Sequence, residues 1–322
     1  MEIHNNILDL IGNTPIVRLN KISVGFKPTI LAKLENLNPG GSVKDRIGIA
    51  MIEDAEHKGL IKPGGTIIEP TSGNTGMALA MAAAVKGYKM IFVMPDKMSE
   101  EKRSLLRAFG AKVIITPTNV SPDSPENNHR VAERLAQETP NSFMPNQYEN
   151  KTNPEAHYRT TGAEIWRQTE GNVDVFVCSM GTGGTISGTG HYLKEKKRTV
   201  KIVGADPEGS IFYPRFHKQV ERPHQYKVEG IGEDFMPGTM DLTIIDDIVQ
   251  VSDRESFDMA RRLAREEGIL VGGSGGTTMH VALKVAEKLD AAKTIVALLP
   301  DTGRNYLSKF FSDKWMKEQG FL

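Results

Sequence analysis

The chain has 322 residues, enough for about two domains or one large α/β unit, and its 40 basic and 40 acidic residues give a formal net charge of zero. A balanced chain creates no overall field that favours nucleic acid or an anionic membrane, so the composition indicates a small-molecule partner. Cys178 is the single cysteine, which excludes an internal disulfide and a cysteine-based metal cluster and suits a reducing compartment.

The ends and the apolar runs carry no targeting signal. The first 13 residues lack a basic segment followed by an apolar core. The longest uncharged apolar run, Met77 to Val85, is far shorter than the roughly 18 residues of a membrane span. The 8 histidines show no ligand spacing on one helix, so no metal site is expected. The sequence therefore predicts a soluble, cytoplasmic protein without a metal.

Short β-branched runs alternate with helical segments along the whole chain. Strands are predicted at 66–69, 90–93, 112–115, 173–177, 200–203 and 294–298, and helices at 77–86, 100–109, about 125–138 and 183–194. This alternation predicts an α/β fold with parallel sheets covered by helices on both faces. The polar stretch 146–153 predicts a domain boundary near residue 150, with a ligand site in a cleft between two lobes. The proline-containing segment 207–238 is predicted to form loops.

Three glycine-rich turns stand out: Thr71–Gly76, Gly181–Thr185 and Gly272–Gly276. Each is predicted to follow an apolar strand and to open a helix, which gathers backbone N–H groups and a positive helix end at one place. For Gly181–Thr185 the favoured ligand is a phosphate, and for Thr71–Gly76 it is a carboxylate such as that of an amino acid. Lys44, near another predicted helix start, adds the amine that binding of a phosphorylated aldehyde cofactor requires.

Other interpretations of these turns are weaker. The glycines could serve only tight turns that need a positive φ, and Asn74 could be only a helix N-cap. Lys44 is followed by Asp45, so the Walker pattern is absent, and the dinucleotide pattern fails where Ile186 replaces its third glycine. A nucleophile elbow around Ser274 would need a downstream histidine, and only His280 follows, within the same predicted helix.

These motifs resemble a known family. In order and spacing, the run Asn38–Arg46 and the three turns are similar to those of the pyridoxal-phosphate β-synthases, which include cysteine synthase and cystathionine β-synthase. The likeness extends from about Asn6 to Leu322 and includes Leu10–Leu19, which resembles the family's opening strand. It implies the two-domain α/β fold called fold type II, pyridoxal 5'-phosphate between the lobes, and a homodimer. Residues 36–150 would form a smaller, mobile lobe, and residues 1–35 with 151–322 a larger lobe that holds the cofactor phosphate.

The resemblance also assigns roles to single residues. It implies that Lys44 forms the Schiff base with the cofactor and then acts as the general base at the substrate α-carbon. Ser274 would contact the pyridine nitrogen, and Asn74 the ring hydroxyl of the cofactor as well as the substrate. The remaining implied residues bind the cofactor phosphate, Gly181, Thr182, Gly183, Gly184 and Thr185, or the substrate carboxylate, Thr71, Ser72, Thr75 and Gln147.

Three segments are more similar to cystathionine β-synthases than to cysteine synthases: Gly204–Ser210, Glu229–Gly232 and Pro300–Phe310. The resemblance then implies β-replacement on serine or O-acetylserine with homocysteine to give cystathionine. Cysteine synthesis from O-acetylserine and sulfide is the alternative. A serine or threonine dehydratase, or a non-catalytic relative that binds an amino acid or partner protein, is more remote.

Two features depart from the animal members of the family. The sequence begins at the catalytic core and ends at Leu322, so neither haem nor a regulatory module is expected. After Glu-Gly-Ile-Gly the family has Tyr-Asp, whereas this chain has Glu233 and Asp234. We expect these two acids to face the acceptor substrate, because homocysteine carries an ammonium group and sulfide does not.

Overall fold

A computed structural model describes residues 3–71, 73–121 and 123–322. Its contacts divide the chain into two compact units. The N-unit contains the residues up to Ile11, Asn38–Gly40 and Lys44–Asn153, and the C-unit contains Gly12–Leu37, Gly41–Val43 and Pro154–Leu322. This division differs from the predicted one at the amino end, which we expected to belong wholly to the larger lobe. The difference arises because the 3₁₀ helix Ile7–Leu10 packs against the second α-helix of the N-unit.

The described residues form strands and α-helices that alternate along the chain. The strands are β1 (Ile16–Arg18), β2 (Thr29–Leu34), β3 (Thr66–Glu69), β4 (Lys89–Pro95), β5 (Lys112–Thr116), β6 (Ser142–Phe143), β7 (Val175–Ser179), β8 (Lys201–Pro207), β9 (Asp247–Val251) and β10 (Thr294–Leu299). The helices are α1 (Lys44–His57), α2 (Asn74–Lys86), α3 (Glu100–Ala108), α4 (Asn128–Glu138), α5 (Thr152–His157), α6 (Ala163–Gln168), α7 (Gly184–Lys196), α8 (Phe212–Phe216), α9 (Asp253–Arg262), α10 (Gly273–Ala286) and α11 (Asp313–Glu318). π-helical turns follow α5 at Tyr158–Gly162 and α9 at Leu263–Glu267.

The N-unit is built on a four-stranded parallel sheet in the order β5-β4-β3-β6. All four residues of β3 are buried, as expected of a central strand covered on both faces. Helix α2 is alanine-rich and lies close to α1, since a Cβ added to Gly48 would come within 2.7 Å of the Ala78 Cβ. The parallel pairing of β3 with β6 brings the turns that follow these two strands to the same edge of the sheet.

The C-unit is built on a six-stranded sheet in the order β1-β2-β10-β7-β8-β9. Among the described strands of this sheet, only β1 pairs antiparallel with its neighbour. Strand β2 and the four strands beyond it run parallel to one another. Apolar residues of β7 and β10 point into cores on both faces, with Val177 and Ala297 on one side and Phe176 and Val296 on the other. This sheet also contains buried charged side chains. The Lys33 ammonium in β2 donates to Glu164, Gln168 and the Thr14 carbonyl.

The six predicted strands and four predicted helices are present, with ends shifted by a few residues. The strands β2 and β9 were not predicted, and the helix α10 was predicted only from the glycine-rich turn that opens it. The segment predicted to form loops, 207–238, also contains the short helix α8. Cys178 is buried in β7, and no helix within the described residues has the length and apolar character needed to cross a bilayer.

Candidate active site

The first glycine-rich turn leads from β3 into α2. Gly73 is the N-cap of α2 and has no side-chain cap, so the N-cap interpretation of Asn74 is wrong: Asn74 is the first residue of the helix. A Cβ added to Gly73 would meet nothing within 4 Å. The first N–H groups of a helix have no intrahelical acceptor, so those of α2 can bind a ligand. Thr71 and Asn74 are both half-buried beside this opening, and Ser72 lies outside the described residues.

Thr75 and Gln147 are brought together although 72 positions separate them in the chain. The Thr75 hydroxyl donates a 2.7 Å hydrogen bond to Gln147 Oε1, and both side chains are buried. Asn153 Nδ2 also donates to the Gln147 carbonyl at 2.8 Å. With Oε1 held by Thr75, the Gln147 NH₂ group is the donor that remains to meet a carboxylate. Two of the predicted substrate residues therefore form one structural unit.

Glu69 was missed by sequence analysis. It ends β3 and is 3 % exposed, and its carboxylate accepts the Asn146 N–H at 3.2 Å and a second hydrogen bond from the Gln147 N–H. Burial raises the pKa of this carboxyl group from 4.5 to about 7, against the lowering effect of the two N–H groups. A glutamate that ends an otherwise apolar strand, directly before a glycine-rich turn, was the available signal.

Lys44 is the first residue of α1 and is half-buried. The turn before it is shaped by Asp45, whose carboxylate accepts the Gly40 N–H at 2.5 Å. A Cβ added to Gly40 would lie only 2.5 Å from this carboxylate, so the turn requires glycine there. The hydrogen bond between Gly40 and Asp45 therefore fixes the backbone from which the Lys44 side chain extends.

The second glycine-rich turn leads from β7 into α7. Gly183 is the N-cap of α7, with φ of +85° and no side-chain cap, and a Cβ there would lie 2.6 Å from the Met240 Cα. The Thr182 carbonyl accepts the Thr239 hydroxyl at 2.6 Å, while the Thr182 hydroxyl accepts the Gly184 N–H at 3.4 Å. The first N–H groups of α7 have no intrahelical acceptor, so these donors are suited to a phosphate. We call Gly181–Thr185 the phosphate turn.

Thr185 lies in the first turn of α7, and its hydroxyl meets His157, a contact that the sequence did not indicate. Thr185 Oγ1 is 3.2 Å from His157 Nε2, and His157 Nδ1 is 2.9 Å from the Thr161 hydroxyl. His157 is 1 % exposed. Its pairing with two hydroxyls shows that this histidine belongs to the surroundings of the phosphate turn.

The third glycine-rich turn differs from the prediction. It opens α10, but no strand precedes it: Val271 pairs with Thr302 through a single bridge. Glycine is needed at the N-cap, because a Cβ on Gly272 would lie 2.1 Å from Asp301 Oδ1. The strand prediction failed because the short apolar run before Gly272 has no neighbouring strand to pair with over more than one residue.

Ser274 is the second residue of α10 and is 5 % exposed. Thr278 connects it to the end of β7, since the Thr278 hydroxyl donates to the Ser274 carbonyl at 3.0 Å and accepts the Ser179 N–H at 3.1 Å. In the described part of the chain the Ser274 hydroxyl itself has no hydrogen-bond partner. The C-unit thus fixes Ser274 relative to the strand from which the phosphate turn starts.

Glu233 and Asp234 lie in the C-unit, half-buried and exposed respectively. The Glu233 backbone is tied at both ends: its N–H donates to the Ser210 hydroxyl and its carbonyl accepts the Ile211 N–H. Burial raises the pKa of the Tyr226 hydroxyl, and the negative charges of Glu233, Asp206 and Asp234 raise it further. The charges of Glu233 and Asp234 therefore act on the Tyr226 hydroxyl.

The donors fit pyridoxal phosphate. The turn Gly181–Thr185 offers N–H groups and hydroxyls. Within the described residues the Ser274 hydroxyl makes no hydrogen bond, and Lys44 offers an amine. No group of three or more histidine, cysteine or acidic side chains among the described residues could hold a metal ion. Backbone N–H groups and hydroxyls are the donors that bind a phosphate, and an amine is the group that binds an aldehyde.

The chain is similar to characterised proteins along its whole length. It is 54 % identical to "Cystathionine beta-synthase" of Apis mellifera over 323 residues, covering 100 % of this chain and 64 % of the relative. It is 54 % identical to the protein of the same name from Rattus norvegicus over 320 residues, covering 98 % and 57 %. The Saccharomyces cerevisiae protein of that name is 48 % identical, with 98 % and 64 % covered. The chain thus spans about 57 % to 64 % of the length of these relatives.

Solved structures are similar as well. A hydrogen sulfide-producing enzyme from Fusobacterium nucleatum matches with a TM-score of 0.88 and 42 % identity, over 94 % of this chain and 98 % of that one. O-ureido-L-serine synthase matches with a TM-score of 0.89 and 40 % identity, over 98 % and 99 %. These neighbours confirm the α/β fold, fold type II of the pyridoxal-phosphate enzymes. Since residues 7–301 also match the family described as "Pyridoxal-phosphate dependent enzyme", this chain belongs to that family.

Proposed function

We propose that the chain catalyses β-replacement on serine or O-acetylserine with homocysteine as acceptor, producing cystathionine. The observation that carries this proposal is the identity of 48 % to 54 % to proteins named cystathionine β-synthase over nearly the whole chain. The functional groups that such a reaction requires are supplied by the phosphate turn, Ser274, Lys44 and the Thr75–Gln147 pair.

The N-unit holds the groups for the amino-acid substrate. The Gln147 NH₂ group and the open N–H groups at the start of α2 bind the substrate carboxylate, with Thr71, Ser72 and Asn74 as further donors. Lys44 accepts the proton from the α-carbon and can return it after the acceptor has added. The bound pyridoxal phosphate supplies delocalisation of the negative charge that develops at the α-carbon.

The C-unit holds the groups for the cofactor. Gly181 to Thr185 would hold the cofactor phosphate, and the Ser274 hydroxyl would bond to the pyridine nitrogen. A neutral hydroxyl does not hold that nitrogen protonated, which limits charge withdrawal into the ring and favours loss of the β-substituent over transamination. In the overall reaction the β-carbon loses its C–O bond, releasing water from serine or acetate from O-acetylserine, and gains a C–S bond to the thiol.

The acceptor distinguishes this proposal from the alternative. Homocysteine brings an ammonium group, and Glu233 and Asp234 supply a negative field in the C-unit. Cysteine synthesis with sulfide is the second candidate, and it is supported by the similarity to a hydrogen sulfide-producing enzyme. We propose that the enzyme is a homodimer and acts in the cytoplasm, as the family resemblance implies; sedimentation of the purified protein tests the dimer.

One steady-state experiment separates these candidates. Serine and O-acetylserine are each offered with homocysteine and with sulfide, and the four products are quantified. We expect cystathionine to form with the highest kcat/KM. A preference for sulfide would replace the proposal with cysteine synthesis, and release of pyruvate without either acceptor would indicate a dehydratase. Amino-acid binding without any product would indicate a non-catalytic relative.

A further inference from the structure

His157 is buried beside the phosphate turn. No role for this residue was predicted from the sequence. It is the last residue of α5, directly before the π-helical turn Tyr158–Gly162. π-helical turns inside helices are rare and frequently accompany functional sites. The position of this histidine therefore calls for a physical explanation.

The segment around His157 is pressed against α7. A Cβ added to Gly188 would lie 2.0 Å from the Pro154 carbonyl oxygen, and one added to Gly162 would lie 2.7 Å from the Tyr192 Cβ. Helix α7 and the segment 154–162 thus approach each other almost backbone to backbone. The imidazole ring has little freedom to move away from the first turn of α7.

Each ring nitrogen of His157 meets one hydroxyl. Nδ1 is 2.9 Å from Thr161 Oγ1, and Nε2 is 3.2 Å from Thr185 Oγ1. Within the described residues the Thr161 hydroxyl has no acceptor other than Nδ1. If Thr161 donates to Nδ1, the neutral ring must carry its proton on Nε2 and donate it to Thr185. The Thr185 hydroxyl hydrogen is then directed away from the ring.

We propose that His157 is a positioning residue for cofactor binding: Thr161 sets its Nε2–H tautomer, and the ring then fixes the Thr185 hydroxyl as a donor to the cofactor phosphate. The opposite tautomer would make Nε2 an acceptor for the Thr185 hydrogen and remove this donor from the phosphate. The proposal concerns the phosphate alone and holds whichever donor and acceptor substrates the enzyme uses.

The test compares two ligands in the apo-protein, pyridoxal phosphate and pyridoxal. Both can bond to Lys44, so only the phosphate distinguishes them. Thr161→Val and His157→Leu should each raise the Kd for pyridoxal phosphate about five- to tenfold and leave that for pyridoxal within about twofold. Thr161→Ser keeps the hydroxyl and His157→Gln keeps a donor near Nε2, so both should restore most of the affinity.

Thr160→Val is the matched control, because the Thr160 hydroxyl bonds to the Ala156 carbonyl of its own helix and not to His157. Its affinities should equal those of the wild type. The ³¹P resonance of the bound cofactor should shift in Thr161→Val and not in Thr160→Val. Equal weakening of both ligands would mean that His157 only supports the fold, and unchanged affinity for pyridoxal phosphate would also overturn the proposal.

Discussion

The Thr75 hydroxyl donates to Gln147 Oε1 at 2.7 Å, and this bond fixes the orientation of the amide, so that its NH₂ group remains as the donor for a ligand. The pair exists because β3 and β6 are parallel neighbours, so the segments after them meet at one edge of the sheet. Glu69 binds the same segment through the N–H groups of Asn146 and Gln147.

Thr75→Val should impair substrate binding by releasing the Gln147 amide. We expect the KM for serine to rise about five- to thirtyfold, as loss of a hydrogen bond worth roughly 1–2 kcal/mol predicts. Cofactor affinity should change little, because the proposed role of Thr75 concerns the substrate carboxylate alone. Thr75→Ser, which keeps the hydroxyl, serves as the control. A fall in cofactor affinity without a change in KM would contradict the assigned role.

Lys44→Ala should leave a folded protein that cannot hold pyridoxal phosphate covalently. The wild-type protein supplied with the cofactor should be yellow, and borohydride reduction should fix the cofactor to the peptide that contains Lys44. Mass spectrometry of the digested protein locates the modification. Attachment at another lysine, or the same labelling in Lys44→Ala, would remove Lys44 from its role.

Glu69 should make stability depend on pH. Its pKa is raised from 4.5 to about 7, so the folded state binds the proton more tightly than the unfolded state does. The stability that this group contributes is fully present below about pH 4.5 and is lost as the pH rises through about 7.

Glu69→Gln cannot ionise and should escape this loss. Urea unfolding should be measured at pH values from 5 to 8. As the pH rises, the free energy of unfolding of the variant should increase relative to that of the wild type by on the order of 1–3 kcal/mol. A difference that stays constant across this range would mean that the Glu69 pKa is not raised.

Glu233→Ala/Asp234→Ala should raise the KM for homocysteine about tenfold and leave turnover with sulfide nearly unchanged. The physical reason is that an ion pair with the homocysteine ammonium is partly desolvated and worth roughly 1–3 kcal/mol, whereas a solvated pair contributes under about 1 kcal/mol. Steady-state kinetics with the two acceptors measure the difference. Equal losses with both acceptors, or none with either, would assign the two acids to the loop structure alone.

Local features of the sequence were sufficient for much of the fold. The strands β3, β4 and β7 and the turns after β3 and β7 follow from short apolar runs and from glycines that open helices, and these signals span only a few residues. Where the local signal was ambiguous, the strand prediction before Gly272 failed, because Val271 is not part of a strand. The weaker alternative, in which Asn74 only caps α2, is excluded as well. Neighbouring residues alone do not decide which residue caps a helix or whether an apolar run finds a pairing partner.

The sequence by itself determined the α/β class, the position of the glycine-rich turn between β7 and α7, and the family, because these depend on periodicity and on motifs of adjacent residues. Only the tertiary structure revealed Glu69 beneath Gln147 and His157 against Thr185. In each pair the partners lie far apart in the chain, and their meeting depends on which strands and helices become neighbours. That packing buries both residues, which raises the pKa of Glu69 and confines the ring of His157. Such burial cannot be predicted from any short segment of the sequence.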